Sequence, residues 1–118
     1  ACASCAPTLL LRTGVPYRGR PSDLYARRVG GVAGNAGLFS TAHDLGRFAA
    51  MIAGGGALAG VRVLRPESVA ELFRQQAGRR TLGWQAFCPD EPPREEVPCR
   101  HPVAFGHTGW TGTSLWLD

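Results

Sequence analysis

His107, Thr108 and Gly109 form the part of this 118-residue sequence with the clearest potential for chemistry. A histidine imidazole can donate or accept a hydrogen bond and can take up a proton near neutral pH. A threonine hydroxyl can bind a polar group of a substrate, and a glycine lets the backbone approach a bound molecule closely. These residue types suit one wall of a substrate site, but the triplet taken alone is weak evidence, because a strand histidine more often has a purely structural hydrogen bond.

Short apolar runs flank the triplet and predict the strands that position it. Residues 103–107 and 113–117 are such runs, and residues 108–112 between them have the glycine content of a hairpin connection. Residues 82–87 predict a further strand. We therefore expect the segment 80–118 to form antiparallel strands that carry the triplet at a hairpin.

Residues 41–76 are predicted to form two helices. Ser40 has a side chain suited to capping the first helix, and Pro66 suits the first position of the second. Apolar residues recur at helical spacing in the first helix: Leu45, Phe48, Ala49 and Ile52. Residues 7–40 are rich in glycine and proline, and residues 1–40 are predicted to be a loop region. Helices packed on an antiparallel sheet make an α+β fold.

The four cysteines are Cys2, Cys5, Cys88 and Cys99. The last two bracket a turn-rich segment that includes Pro89, so a disulfide between them is the alternative that we favour. Free thiols are a second alternative, and a zinc site with His101 or His107 as a further ligand is a third. A disulfide would indicate an exported protein.

Charge and hydropathy exclude several classes of function. All 13 basic residues are arginine, so no mechanism that needs a lysine can operate within this sequence alone. Five arginines lie in the first quarter of the chain, and we interpret them as a solvated basic surface rather than a nucleic-acid site. Apolar runs are far shorter than the ~20 residues of a membrane span. We expect no cofactor and no bound metal.

Two longer segments carry a resemblance to a known family. Residues 105–118 contain the triplet, and residues 30–41 precede it. Both resemble, in this order and at about this separation, segments of the serine β-lactamase-like hydrolases, which include class C β-lactamases, D-alanyl-D-alanine carboxypeptidases and related esterases. The triplet is similar to the family's Lys-Thr-Gly, which lies on a sheet-edge strand, with histidine in place of lysine. The resemblance covers most of residues 20–118.

This resemblance implies a fold and a domain organisation. The fold would be part of the β-lactamase/transpeptidase-like type, with helices on an antiparallel sheet. Residues 1–118 would be the C-terminal part of a single domain, in which residues 1–40 form a loop region beside the substrate cleft. The family's Ser-x-x-Lys nucleophile and relay tyrosine are absent from the sequence, so we expect both to lie upstream of Ala1.

Roles for individual residues are also implied by the resemblance. His107 would support catalysis beside the relay tyrosine, and the backbone N–H of Trp110 would help to form an oxyanion hole. Contacts with the substrate are implied for four residues: Thr108, Gly109, Thr111 and Asn35. Asn35 stands where the family often has a histidine.

The expected function is then acyl-enzyme hydrolysis of β-lactams, D-alanyl peptides or small esters and amides. The enzyme would be exported to the periplasm or the exterior, and this chain would be inactive without the missing N-terminal part of its domain. Two alternatives stay open. One is a non-catalytic binding module of the same fold, and the other is a small zinc-binding or nucleic-acid-binding protein.

Overall fold

The structure is a computed structural model that describes residues 4–92 and 94–118. The chain divides after Thr41 into two compact units. No helix among the described residues is long and apolar enough to cross a membrane.

The first unit consists mainly of turns around two small elements. Strands β1 (Leu9–Leu10) and β2 (Pro16–Tyr17) form an antiparallel pair, and helix α1 (Leu24–Arg28) follows them. The Asp23 side chain caps α1 by accepting a hydrogen bond of 2.6 Å from the Ala26 amide. Glycine and proline predicted a long loop here, and they gave no sign of this hairpin or of the short helix.

Tyr17 links the hairpin of the first unit to its helix. The guanidinium carbon of Arg27 lies 5.2 Å from the centroid of the Tyr17 ring, which is a cation–π arrangement. Burial raises the pKa of the Tyr17 phenol, but hydrogen bonds from Arg27 and Arg20 outweigh it and hold that pKa below its ordinary value. Among the described residues of this unit, the pairing of Tyr17 with Arg27 therefore links the β1–β2 hairpin to α1.

Two helices and a second small hairpin open the second unit. Helix α2 spans Ala42–Ala53 and helix α3 spans Pro66–Phe73, with the antiparallel strands β3 (Ala57–Leu58) and β4 (Val61–Arg62) between them. The proline is the first residue of α3, as predicted. Ser40 was predicted to cap α2 and lies one residue too early to do so.

A three-stranded antiparallel sheet completes the second unit. Its strands are β5 (Gln85–Phe87), β6 (Ala104–Thr108) and β7 (Ser114–Leu117), in that order across the sheet. The predicted start of β5 at Leu82 is wrong, because a turn occupies this position. The Thr81 amide donates to the Trp84 carbonyl across that turn at 2.9 Å.

Apolar side chains from both helices and from β7 share one core cluster in this unit. Met51 and Ile52 of α2 and Val69 of α3 are buried together, and Leu117 of β7 packs against them. The Phe73 ring lies 4.9 Å from the ring of Phe105 in β6, measured between centroids. The second unit is therefore an α+β arrangement, in agreement with the class predicted from the sequence.

Replacing Ile52 by alanine should destabilise the second unit by about 2–5 kcal/mol, because the side chain is 1% exposed and its loss leaves a cavity. Val61→Ala is the matched control, since Val61 is 64% exposed and should change the free energy of unfolding by less than about 0.5 kcal/mol. Urea denaturation followed by circular dichroism measures both. Equal effects of the two substitutions would contradict the packing described here.

Candidate active site

The β6–β7 hairpin carries five of the six residues predicted for the site: His107, Thr108, Gly109, Trp110 and Thr111. On β7, Leu115 lies opposite His107 and Ser114 lies opposite Thr108. The Gly109 amide donates to the Thr113 carbonyl at 2.6 Å, and the Gly112 amide donates to the Gly109 carbonyl at 3.0 Å. The turn thus runs from Gly109 to Gly112. Gly112 has a φ of 92°, a conformation that requires a glycine.

Gly106 permits a close contact that a side chain would block. A Cβ at this position would collide with the Trp116 ring and would lie 2.6 Å from the Leu115 carbonyl oxygen. The Trp116 ring therefore lies across Gly106, and it meets the Phe87 ring edge-on with centroids 5.8 Å apart. This contact fixes the strand that leads into the triplet.

His107 lies where β6 extends beyond β5. The two strands pair only as far as Gly106, so His107 and Thr108 have a strand partner on the β7 side alone. The His107 side chain is exposed. Its Nδ1 lies 2.7 Å from the Thr108 carbonyl oxygen, and its Nε2 lies 3.4 Å from Nη1 of Arg80. Each ring nitrogen thus has a polar neighbour.

Arg80 is a neighbour of His107 that sequence reasoning missed. It lies 27 residues earlier in the chain and outside the recognised motif. Backbone pairing of Arg80 with Gln85 brings it beside the sheet. Nη2 of Arg80 donates to Oε2 of Glu95 at 3.1 Å. The sequence contains no signal of this network, because the spacing of its members follows no helical or strand period.

Glu95 belongs to a loop that the Cys88–Cys99 disulfide closes, with Cα atoms 6.1 Å apart. The Gln75 side chain both donates a hydrogen bond to the end of this loop and accepts one from it. Its Nε2 donates to the Cys99 carbonyl at 2.7 Å, and its Oε1 accepts from the Cys99 amide at 2.6 Å. The Arg79 amide donates to the Glu95 carbonyl at 2.9 Å. The loop is therefore anchored both at its end and beside Arg80.

While Cys88 and Cys99 are joined as a disulfide, they cannot serve as zinc ligands. Zinc binds thiolates, and a sulfur atom in a disulfide carries no such charge. Cys2 lies outside the described residues.

A cavity of about 470 Å³ opens in the disulfide-closed loop. Pro89, Arg100 and His101 are among the residues that line it, and no residue of the β6–β7 hairpin contributes to it. The candidate site is an open surface separate from this cavity.

Trp110 and Thr111 form the exposed tip of the hairpin. The Trp110 side chain is 97% exposed. Within residues 4–92 and 94–118, the Trp110 backbone N–H donates no hydrogen bond. This amide is therefore available to bind an oxygen atom, which is the property that an oxyanion-hole donor needs.

Asn35 belongs to the first unit, where it lies in a two-residue turn. Backbone hydrogen bonds in both directions join Ala33 and Ala36 on either side of the turn, at 2.9 Å and 3.3 Å. The Asn35 side chain is exposed. A Cβ at Gly37 would collide with the Gly31 carbonyl oxygen, so glycine is needed where these segments cross. A substrate contact for Asn35 stays a prediction.

Comparison with known proteins places these features in a family context. The family model described as Beta-lactamase matches residues 8–118. Proteins from Salmonella paratyphi B and Salmonella newport, each described as "Putative D-alanyl-D-alanine carboxypeptidase", are 34% identical over 92 residues. Each match covers 76% of this chain and 21% of the relative, so the matched part is about a fifth of those proteins. No solved structure matches the chain significantly.

Replacing Gly106 by alanine should destabilise the second unit by about 1–3 kcal/mol, because the Leu115 carbonyl cannot move away from the new Cβ without distorting the strand pair. Gly46→Ala in α2 is a control of opposite sign. Its Cβ would meet nothing within 4 Å, so alanine should raise the free energy of unfolding by about 0.5–1 kcal/mol. Urea midpoints that move in the same direction would contradict this account of the hairpin.

Proposed function

The chain belongs to the β-lactamase family, and we propose that it supplies the His-Thr-Gly wall of a serine hydrolase active site. The enzyme would act through an acyl-enzyme on β-lactams, D-alanyl peptides or small esters and amides. The observation that carries this proposal is the hairpin itself. It presents an exposed imidazole, a threonine and the unpaired Trp110 amide within four consecutive residues.

Each of these groups has a use in acyl transfer. A backbone N–H that is not committed to another acceptor can stabilise the negative charge that develops on the carbonyl oxygen. The His107 imidazole can exchange a hydrogen bond with a relay group, and the Thr108 hydroxyl can bind the substrate. Gly109 is needed where the turn closes, because a Cβ at this position would collide with Oγ1 of Thr113.

We propose that the nucleophilic serine is supplied by a segment outside these 118 residues. A serine needs a neighbouring base for activation, and the sequence contains no lysine and no Ser-x-x-Lys. The wider domain would have the β-lactamase/transpeptidase-like fold. A disulfide within the chain favours an exported enzyme, since such bonds persist in oxidising compartments.

The chain alone should not be acylated, because no serine in it has a lysine to activate it. Incubation with a fluorescent penicillin or a fluorophosphonate, followed by mass spectrometry of the intact protein, should show an unchanged mass. A class C β-lactamase treated in parallel provides the positive control. A stoichiometric adduct on any serine of this chain would refute the assignment of the nucleophile.

In a protein that includes the Ser-x-x-Lys segment, His107→Ala should lower turnover of a p-nitrophenyl ester by on the order of 10²-fold or more, because a positioned proton-transfer group is lost. His43→Ala and His101→Ala are matched controls, since both side chains are exposed and lie outside the hairpin. They should leave the rate close to that of the parent, with circular dichroism as the check on folding. An unchanged rate for His107→Ala would favour a non-catalytic binding module.

A further inference from the structure

We propose that Arg80 is a positioning residue that, together with the Thr108 carbonyl, keeps the proton of the His107 ring on Nδ1, so that Nε2 is the nitrogen that accepts a hydrogen bond in the site. The importance of this for catalysis rests on the proposed function. The position of the proton on the His107 ring is inferred only from the contacts of that ring with Arg80 and with the Thr108 carbonyl.

The partners of the two ring nitrogens select one tautomer. A guanidinium has N–H donors and no acceptor, so an imidazole nitrogen that bonds to Arg80 must offer a lone pair. Nε2 lies 3.4 Å from Nη1 of Arg80 and is therefore the acceptor. The Thr108 carbonyl oxygen can only accept, and it lies 2.7 Å from Nδ1. Nδ1 must then carry the proton.

Arg80 is held in place independently of His107. Its backbone N–H donates to the Ala77 carbonyl at 2.9 Å, and its own carbonyl accepts from the Gln76 amide at 2.7 Å. Glu95 binds the other end of the guanidinium at 3.1 Å. The charged groups facing this side of the ring are thus Arg80 and, behind it, Glu95, while Leu115 opposite on β7 is uncharged.

The choice of tautomer decides what His107 can do. With the proton on Nδ1 and donated to a backbone carbonyl, the ring offers the lone pair of Nε2, beside which Nη1 of Arg80 lies. The contact between Nε2 and Arg80 is long for a hydrogen bond, so a hydroxyl or amide donor of a bound molecule can compete for this atom. At Nε2, His107 therefore acts as an acceptor rather than as a hydrogen-bond donor, and the Thr108 carbonyl and Arg80 together maintain that state.

Imidazole nitrogen chemical shifts test the tautomer directly. The 118-residue chain would be labelled with 15N-histidine and studied at a pH at which its three imidazoles are deprotonated. We expect the long-range proton–nitrogen spectrum to show His107 with its proton on Nδ1. Assignment comes from His43→Gln and His101→Gln, which remove one set of signals each.

Arg80→Met removes the donor and keeps the length of the side chain, so that only the Thr108 carbonyl still selects the tautomer. The His107 signals should therefore move part of the way towards the averaged shifts of a mixed population. Arg80→Lys keeps a donor and should retain the Nδ1–H form. Glu95→Gln frees the guanidinium from its ion pair and should give an intermediate shift. Arg65→Met is the control, because Arg65 is exposed before α3, and it should change nothing. Identical His107 shifts in the parent and in Arg80→Met would overturn the inference.

A kinetic arm separates this inference from the proposed function. In the protein that includes the nucleophile segment, Arg80→Met should lower kcat on a neutral ester by about tenfold or more, as a part of what a positioned acid–base group contributes. Arg80→Lys should restore most of the rate. If that protein forms no acyl-enzyme, the proposed function fails and the spectra alone decide the tautomer. If hydrolysis is intact in Arg80→Met, the positioning role is refuted.

Discussion

The packing of Phe73 against Phe105 and Trp84 is the contact on which the geometry of the second unit depends. The ring centroids of Phe73 and Phe105 are 4.9 Å apart, and those of Phe73 and Trp84 are 6.3 Å apart. These rings come from α3, from β6 and from the turn before β5, so the Phe73 side chain joins α3 to the sheet. Aromatic pairs of this kind contribute about 0.5–1.5 kcal/mol each beyond the area that they bury. His107 lies two residues after Phe105 on the same strand face, and its position follows from this packing.

Local pattern was sufficient to predict the elements that have many residues and a clear period. The spacing of Leu45, Phe48 and Ile52 indicated α2, and the apolar runs around the triplet indicated β6 and β7. The strands β3 and β4 have two residues each, which is too few for a period to be visible. The approach of Arg80 to His107 depends on how the chain folds back, and neither residue type signals it.

The ion pair between Arg80 and Glu95 is not what holds this part of the molecule together. Both side chains are about half exposed, at 47% and 62%, and such pairs contribute about 0–1 kcal/mol. The Arg79 amide donates a hydrogen bond to the loop that carries Glu95, and the Gln75 side chain both donates to and accepts from Cys99 at the end of that loop. Each of these bonds contributes about 0.5–1.5 kcal/mol. The backbone therefore places the two charges near each other, and the ion pair refines the orientation of the guanidinium.

The three tryptophans occupy distinct environments, and this has a consequence for fluorescence. Trp84 is 7% exposed in the aromatic core, Trp116 is 44% exposed on the sheet, and Trp110 is 97% exposed at the tip of the hairpin. An indole in water emits at longer wavelength than one among apolar side chains. The red edge of the emission therefore comes mainly from Trp110, one residue from Gly109. Any molecule that covers the hairpin will shift or quench this component first. Intrinsic tryptophan fluorescence can therefore detect binding at the proposed site without an added label.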